Sequence, residues 1–227
     1  MMIQNTSLRT VLRYAIPFAL IPALVVLCAV VFDGQRYLII SLGIAVAALL
    51  LFMTGVEQKN IGSRRMVITA IMTALAVFGR FIPVFKPITA ICVMTAMYLG
   101  AEAGFLSGAL SVLISNIYFG QGPWTPFQML GFGLIGLFAG YLSEWLKCSV
   151  VFLLIYGVLS GVAYSFIMDI WTVLWYSGGF DLDLYLAALL SALPFTILYA
   201  VSNVAFLLLL RKPVGNKLNR IKIKYGV

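Results

Sequence analysis

Hydrophobic residues occur along this chain in long runs separated by short polar breaks, rather than in the one-face or alternating patterns of soluble proteins. The runs cover approximately residues 10–32, 37–53, 66–82, 88–99, 105–119, 127–146, 149–176 and 184–210. A helix needs about 20 mostly apolar residues to cross a bilayer. The pattern therefore predicts an all-α integral membrane protein with about eight transmembrane helices. The two short runs that flank Glu102 could instead form one broken or re-entrant segment.

Composition supports a membrane location. Of the 227 residues, 63% are hydrophobic and 10% are charged, whereas a soluble domain carries about 25% charged residues. The positive-inside rule then predicts the orientation, because eight alternating helices with both termini cytoplasmic place most basic residues inside the cell. The predicted inner residues are Arg9, Arg13, Lys59, Arg64, Arg65, Lys147, Arg211, Lys212, Lys217, Arg220, Lys222 and Lys224. The predicted outer ones are Arg36, Arg80 and Lys86. We expect a multi-pass protein of the plasma membrane.

Several chemistries are excluded by missing residues. The chain has no histidine, which rules out histidine-based metal sites and catalytic triads. It also lacks the GxxxxGK[ST] phosphate loop of ATPases. Cys28, Cys92 and Cys148 are isolated, and only Glu102 and Asp169 among the acidic residues fall in or near a hydrophobic run. We therefore predict no enzyme activity, no metal, no catalytic cofactor and no nucleic-acid partner, and any uphill transport would need energy from another protein.

Three predicted outer loops combine turn residues with aromatic side chains: PVFKP, FGQGPWTP and SGGFDLD. Proline and glycine give such loops a fixed shape, and aromatic walls with a few polar groups are typical of a pocket for a small organic molecule. An interfacial aromatic belt is the simpler interpretation. The predicted substrate-binding residues are Arg80, Phe85, Lys86, Asn116, Tyr118, Gln121, Trp124, Thr125, Gln128, Asp169 and Trp171. In this hypothesis Trp124 stacks on the ligand, and Gln121 or Gln128 hydrogen-bonds it.

From Arg64 onward the chain resembles the substrate-binding S components of energy-coupling-factor (ECF) vitamin transporters. The resemblance is carried by RRMVITAIMTALAVFGRFIP, YLGAEAGFLSGALSVLISNIYFGQGPWTPFQM and GFGLIGLFAGYL. It implies a six-helix S-component core at residues 64–212. Residues 1–63 would add two N-terminal transmembrane helices and a cytoplasmic hinge. Residues 213–227 would form a basic cytoplasmic tail that can touch anionic lipid.

The resemblance also implies a division of labour. An S component captures its vitamin at the outer face, and a transmembrane coupling protein with two cytoplasmic ATPases supplies the energy. The S component is thought to topple in the membrane on docking, and the family's AxxxA docking motif matches Ala70 and Ala74. The sequence looks most like the S components assigned to cobalamin, which would be the transported substrate.

Other interpretations stay open. Riboflavin would suit the same side chains, and queuosine precursors or folates are further possible substrates. From other functional classes, the chain could be a self-sufficient secondary transporter, an outer-face enzyme or a structural subunit that binds a protein through its outer loops.

Overall fold

The computed structural model describes residues 6–30, 36–55 and 59–225, which are helical apart from short turns and contain no strand. The first helices are α1 (Thr6–Ala15), α2 (Ile21–Val30), α3 (Arg36–Thr54) and α4 (Lys59–Gly79), and a π-helical turn, Ile16–Leu20, joins α1 to α2. The rest are α5 (Ile88–Leu99), α6 (Ala101–Phe119), α7 (Thr125–Tyr141), α8 (Ser143–Cys148), α9 (Val150–Ser177) and α10 (Leu182–Tyr225).

The described helices form an all-helical membrane protein. Among the described residues, five continuous helical segments are long and apolar enough to cross a bilayer: Ser7–Ala29 (through α1 and α2), Tyr37–Thr54, Ala101–Phe119, Val150–Ser177 and Leu182–Lys224. Ile88–Leu99 is apolar but shorter. Large apolar side chains such as Phe78, Ile117 and Leu190 are more than 70% exposed, as expected where lipid is the solvent. The prediction of an all-α membrane protein is confirmed. Of the eight predicted transmembrane helices, the described residues contain five segments that are both long enough and apolar enough to span a bilayer.

The centre of the bundle is built from α5, α6 and α7. Gly100 separates α5 from α6 with φ +97°, a conformation that side chains other than glycine's rarely adopt. The backbones of α6 and α7 then approach closely, since a Cβ atom placed on Gly104 would lie 2.6 Å from the carbonyl oxygen of Gly136. Small residues permit such close contact between helices in lipid. Gly104 and Gly136 therefore allow α6 and α7 to pack closely.

A buried ion-pair cluster connects the N-terminal helices to this centre. Arg65, near the start of α4, donates from Nε to the carbonyl of Leu99 (2.6 Å) and from Nη1 to the carbonyl of Gly55. Its Nη2 lies 3.2 Å from Oε2 of Glu102, which is 1% exposed. Arg13 on α1 forms an ion pair with the other oxygen of Glu102. We call this the Glu102 end of the bundle.

Two predicted boundaries differ from the observed helices. Helix α4 begins at Lys59, so most of the expected polar hinge at residues 57–65 is helical, while residues 57 and 58 lie outside the described part. Helix α10 runs without interruption to Tyr225 through the predicted tail and includes Pro194 and Pro213. Its basic end is thus an extension of the last helix.

Candidate binding site

Arg80 marks the opposite end of the bundle, which we call the Arg80 end. Helix α4 stops at Gly79, and the turn that follows contains Pro83, Pro87 and Val84, the last with φ +64°. The chain reverses here, and the Arg80 side chain is only 9% exposed. Its Nη1 atom donates to Ser115 Oγ and, over 2.8 Å, to Asn116 Oδ1. These bonds fix the end of α4 to the end of α6.

The FGQGPWTP loop is held by its own hydrogen bonds. Asn116 Nδ2 donates to Thr125 Oγ1 and to Gln128 Oε1, both over 3.0 Å. Thr125 in turn donates to Gln121 Oε1 over 3.1 Å, and Gln121 Nε2 donates to the carbonyl of Leu113 over 2.8 Å. Three of the predicted ligand-contacting side chains, at positions 116, 121 and 125, therefore form hydrogen bonds that join the loop to the ends of α6 and α7.

A polar cavity of about 140 Å³ lies beside this network. Its walls come from the turn after α4 and from α5, α7, α9 and α10. The lining residues are Arg80, Lys86, Ile88, Thr89, Gln128, Phe132, Gly161, Tyr164, Tyr199 and Asn203. Both cationic groups face this space, and no carboxylate of the described residues lines it. Partial burial and the neighbouring Arg80 guanidinium lower the pKa of Lys86.

Tryptophans form a second feature of the Arg80 end. Trp124 meets Trp171 edge to face with ring centroids 5.8 Å apart, and Trp171 stacks on Trp175 at 6.1 Å. Within the described part of the chain, Trp171 Nε1 and Asp169 Oδ2 are buried without a hydrogen-bond partner. The loop and α9 thus bring large flat rings together, and polar atoms with unused hydrogen-bonding capacity lie close to them along α9.

A separate aromatic cluster lies on the surface. Tyr118 and Phe119 both contact Phe81, with centroid separations of 4.8 and 5.0 Å. Tyr118 is 73% exposed, and Phe85 is also exposed. Neither of these two predicted site residues lines the cavity. Their position suits contact with the membrane interface.

The structure divides the predicted site residues into groups. Three of them, Arg80, Lys86 and Gln128, line the cavity, whereas the others shape the loop, stack as aromatics or lie on α9. Sequence reasoning missed Tyr164, Tyr199 and several further lining residues, namely Ile88, Thr89, Phe132, Gly161 and Asn203. Asn203 could have been predicted from the sequence, because it lies inside an apolar run and a polar side chain there usually faces the bundle interior or a cavity.

The predicted docking residues lie elsewhere on the surface. Ala70 and Ala74 are exposed on α4 and line a shallow apolar groove with Leu49 of α3 and Leu106 and Leu110 of α6. Their small side chains leave the α4 backbone accessible to a helix of another protein.

Apolar helices around a polar cavity are typical of a membrane protein that binds a small solute. Comparison with protein families identifies the family: the family model described as "ECF-type riboflavin transporter, S component" matches residues 60–216. The chain belongs to this family of ECF S components, which are substrate-binding subunits of vitamin transporters rather than enzymes. No curated protein and no solved structure gives a match.

Proposed function

We propose that this chain is the substrate-binding subunit of an ATP-driven importer for a vitamin with a planar conjugated ring, and that riboflavin is the first candidate. The observation that carries the proposal is the cavity at the Arg80 end, which collects polar side chains from five parts of the family-matched region. The description of the family supports a flavin. The neighbouring tryptophans supply flat surfaces on which such a ring can stack.

The size of the cavity indicates how a vitamin would be held. Pockets for drug-sized ligands enclose roughly 300–1,000 Å³, whereas this cavity encloses about 140 Å³. One substituent of a vitamin fits that volume better than the whole molecule. The ring would then lie between the cavity and the tryptophans, with Trp124 as a wall, and the FGQGPWTP loop would move to admit it.

Cobalamin is the second candidate. The family description does not favour it, and a corrinoid exceeds the cavity by more than a flavin does. The specific observation in its favour is the number of large aromatic rings at this end, where Trp124 contacts Trp171 and Trp171 contacts Trp175.

The proposed mechanism places the Arg80 end outside the cell and the Glu102 end, with both termini, in the cytoplasm. Eight helices that cross the membrane in alternating directions would give this orientation, and the positive-inside rule favours it. Ala70 and Ala74 would dock to the transmembrane coupling protein, two ATPases would supply the energy, and the subunit would topple to carry its site inward. The groove beside the two alanines supports this proposal because it leaves room for a partner helix.

Isothermal titration of the purified protein in detergent tests the proposal. We expect saturable binding of riboflavin, and binding of cobalamin without riboflavin would replace the first candidate by the second. Heat from neither vitamin would refute both candidates. Uptake assays in liposomes then separate the transport classes: transport without the coupling protein and ATPases would show a secondary transporter instead.

A further inference from the structure

The cavity at the Arg80 end contains two cationic groups that have no anionic partner among the described residues. Arg80 reaches it from the turn after α4, and Lys86 reaches it from the residues just before α5. Both lie over the ring of Phe119, with distances of 5.4 Å from Arg80 Cζ and 5.6 Å from Lys86 Nζ to the ring centroid. Among the described residues no carboxylate forms an ion pair with either group.

The hydrogen bonds of Arg80 do not neutralise its charge. All of them use Nη1, and all acceptors are neutral: Ser115 Oγ, Asn116 Oδ1 and the carbonyl of Val112. A purely structural role, fixing α4 to α6, would explain those bonds. It does not explain why Lys86 is brought beside Arg80, because like charges repel and the pKa of Lys86 is lowered in part by that neighbour.

The remaining lining groups suit the same kind of ligand. The hydroxyls of Thr89, Tyr164 and Tyr199 and the amide of Asn203 add neutral hydrogen-bonding groups around the two cations. Hydrogen bonds from cationic donors to anionic oxygens are about twice as strong as neutral ones. A volume of about 140 Å³ accommodates one such group rather than a whole vitamin.

We propose that Arg80 and Lys86 form an oxyanion subsite, which binds a phosphate or carboxylate group carried by the transported vitamin. This inference rests on the proposed function and specifies the class of substrate. Uncharged riboflavin would leave the two cations unpaired. Riboflavin 5′-phosphate carries a phosphate monoester, cobalamin carries a phosphodiester that cobinamide lacks, and folates carry carboxylates.

The subsite is tested first without any vitamin. Thermal unfolding of the full chain in detergent is followed in inorganic phosphate and in chloride of equal ionic strength. We expect phosphate to raise the unfolding midpoint of the wild type and of Lys147→Met, a control that removes a half-buried lysine at the Glu102 end. Because phosphate also stabilises folded proteins without binding, the rise should be smaller in Lys86→Met than in Lys147→Met and should return to the wild-type value in Lys86→Arg. A wild type that responds equally to both anions, or an unchanged phosphate effect in Lys86→Met, would overturn the proposal.

Titration with matched ligand pairs then identifies the source of the oxyanion. Riboflavin is compared with its 5′-phosphate, and cobalamin with cobinamide. We expect the anionic member of one pair to bind about tenfold more tightly, and Lys86→Met to abolish that difference. Equal binding of both members of the pair that binds, unaffected by Lys86→Met, would refute the subsite and leave the proposed function standing. A response to inorganic phosphate with no binding of any flavin or corrinoid would support the subsite and refute the proposed substrates.

Discussion

Substitution of Gly161 by alanine tests whether the contact between α9 and α10 depends on a missing side chain. A Cβ atom on Gly161 would lie 2.8 Å from the nitrogen and 3.1 Å from the Cα atom of Ala200, and 3.2 Å from the carbonyl carbon of Tyr199. All three are backbone atoms, so no flexible side chain can move aside. Instead α9 and α10 must separate by a few tenths of an ångström.

Two effects of opposite sign then compete in this variant. Alanine favours the helical state by about 1 kcal/mol relative to glycine, whereas overpacking a closely packed site destabilises by about 1–3 kcal/mol. Gly43→Ala isolates the first effect, because Gly43 also lies within a helix and a Cβ there would meet only Leu24 Cδ1, at 3.9 Å. The free energy of unfolding of Gly161→Ala should therefore fall about 1–3 kcal/mol below that of Gly43→Ala.

Thermal unfolding of both variants in one detergent measures this difference. At about 2–4 °C per kcal/mol for a chain of this size, Gly161→Ala should unfold about 2–12 °C below Gly43→Ala. Since Gly161 also lines the cavity, ligand affinity is measured at a temperature at which both variants are folded. A midpoint for Gly161→Ala equal to or above that of the control would refute the backbone-contact argument.

Four further predictions concern the two ends of the bundle. Glu102→Gln should lower the free energy of unfolding by about 3–5 kcal/mol, because it leaves buried arginine charge uncompensated; unchanged thermal unfolding would contradict the role of the ion pair. Oxyanion binding should weaken as the pH rises, because Lys86 loses its charge. Since the pKa of Lys86 is lowered, this loss should begin at a lower pH than for an ordinary lysine; a titration series in which Lys86→Arg shows the same decline would argue against this. Trp124→Ala should weaken vitamin binding about two- to tenfold through lost ring contact while the protein stays folded, and an unaltered dissociation constant would remove Trp124 from the site. Ala70→Trp combined with Ala74→Trp should spare binding but prevent co-purification with the coupling protein and ATPases, so normal ATP-driven uptake by this double variant would refute the docking assignment.

The Arg80 end shows where prediction from the sequence stops. The side chains of Asn116, Gln121 and Thr125 are polar residues in an aromatic loop, and nothing in their order shows whether they face a ligand or the loop backbone. The structure places these hydrogen bonds between the loop and the ends of the helices that flank it. In contrast, Arg80 and Lys86 could be assigned to the site because a charge beside an apolar span needs a polar environment, and the proline-rich turn between them limits where they can lie.

The sequence by itself determined the class of protein and some of the helix ends, although α4 and α10 extend beyond their predicted bounds. Continuous apolar runs can satisfy their backbone hydrogen bonds in lipid only as helices, and Gly100 ends α5 because glycine adopts a positive φ readily. The tertiary structure alone brought Tyr164 and Tyr199 to the cavity and Arg13 and Arg65 to Glu102. These residues are far apart along the chain, and the hydrophobic pattern that predicts a helix is nearly the same on all its faces in lipid. Which face meets which neighbour is decided by the close packing of small residues such as Gly104 against Gly136.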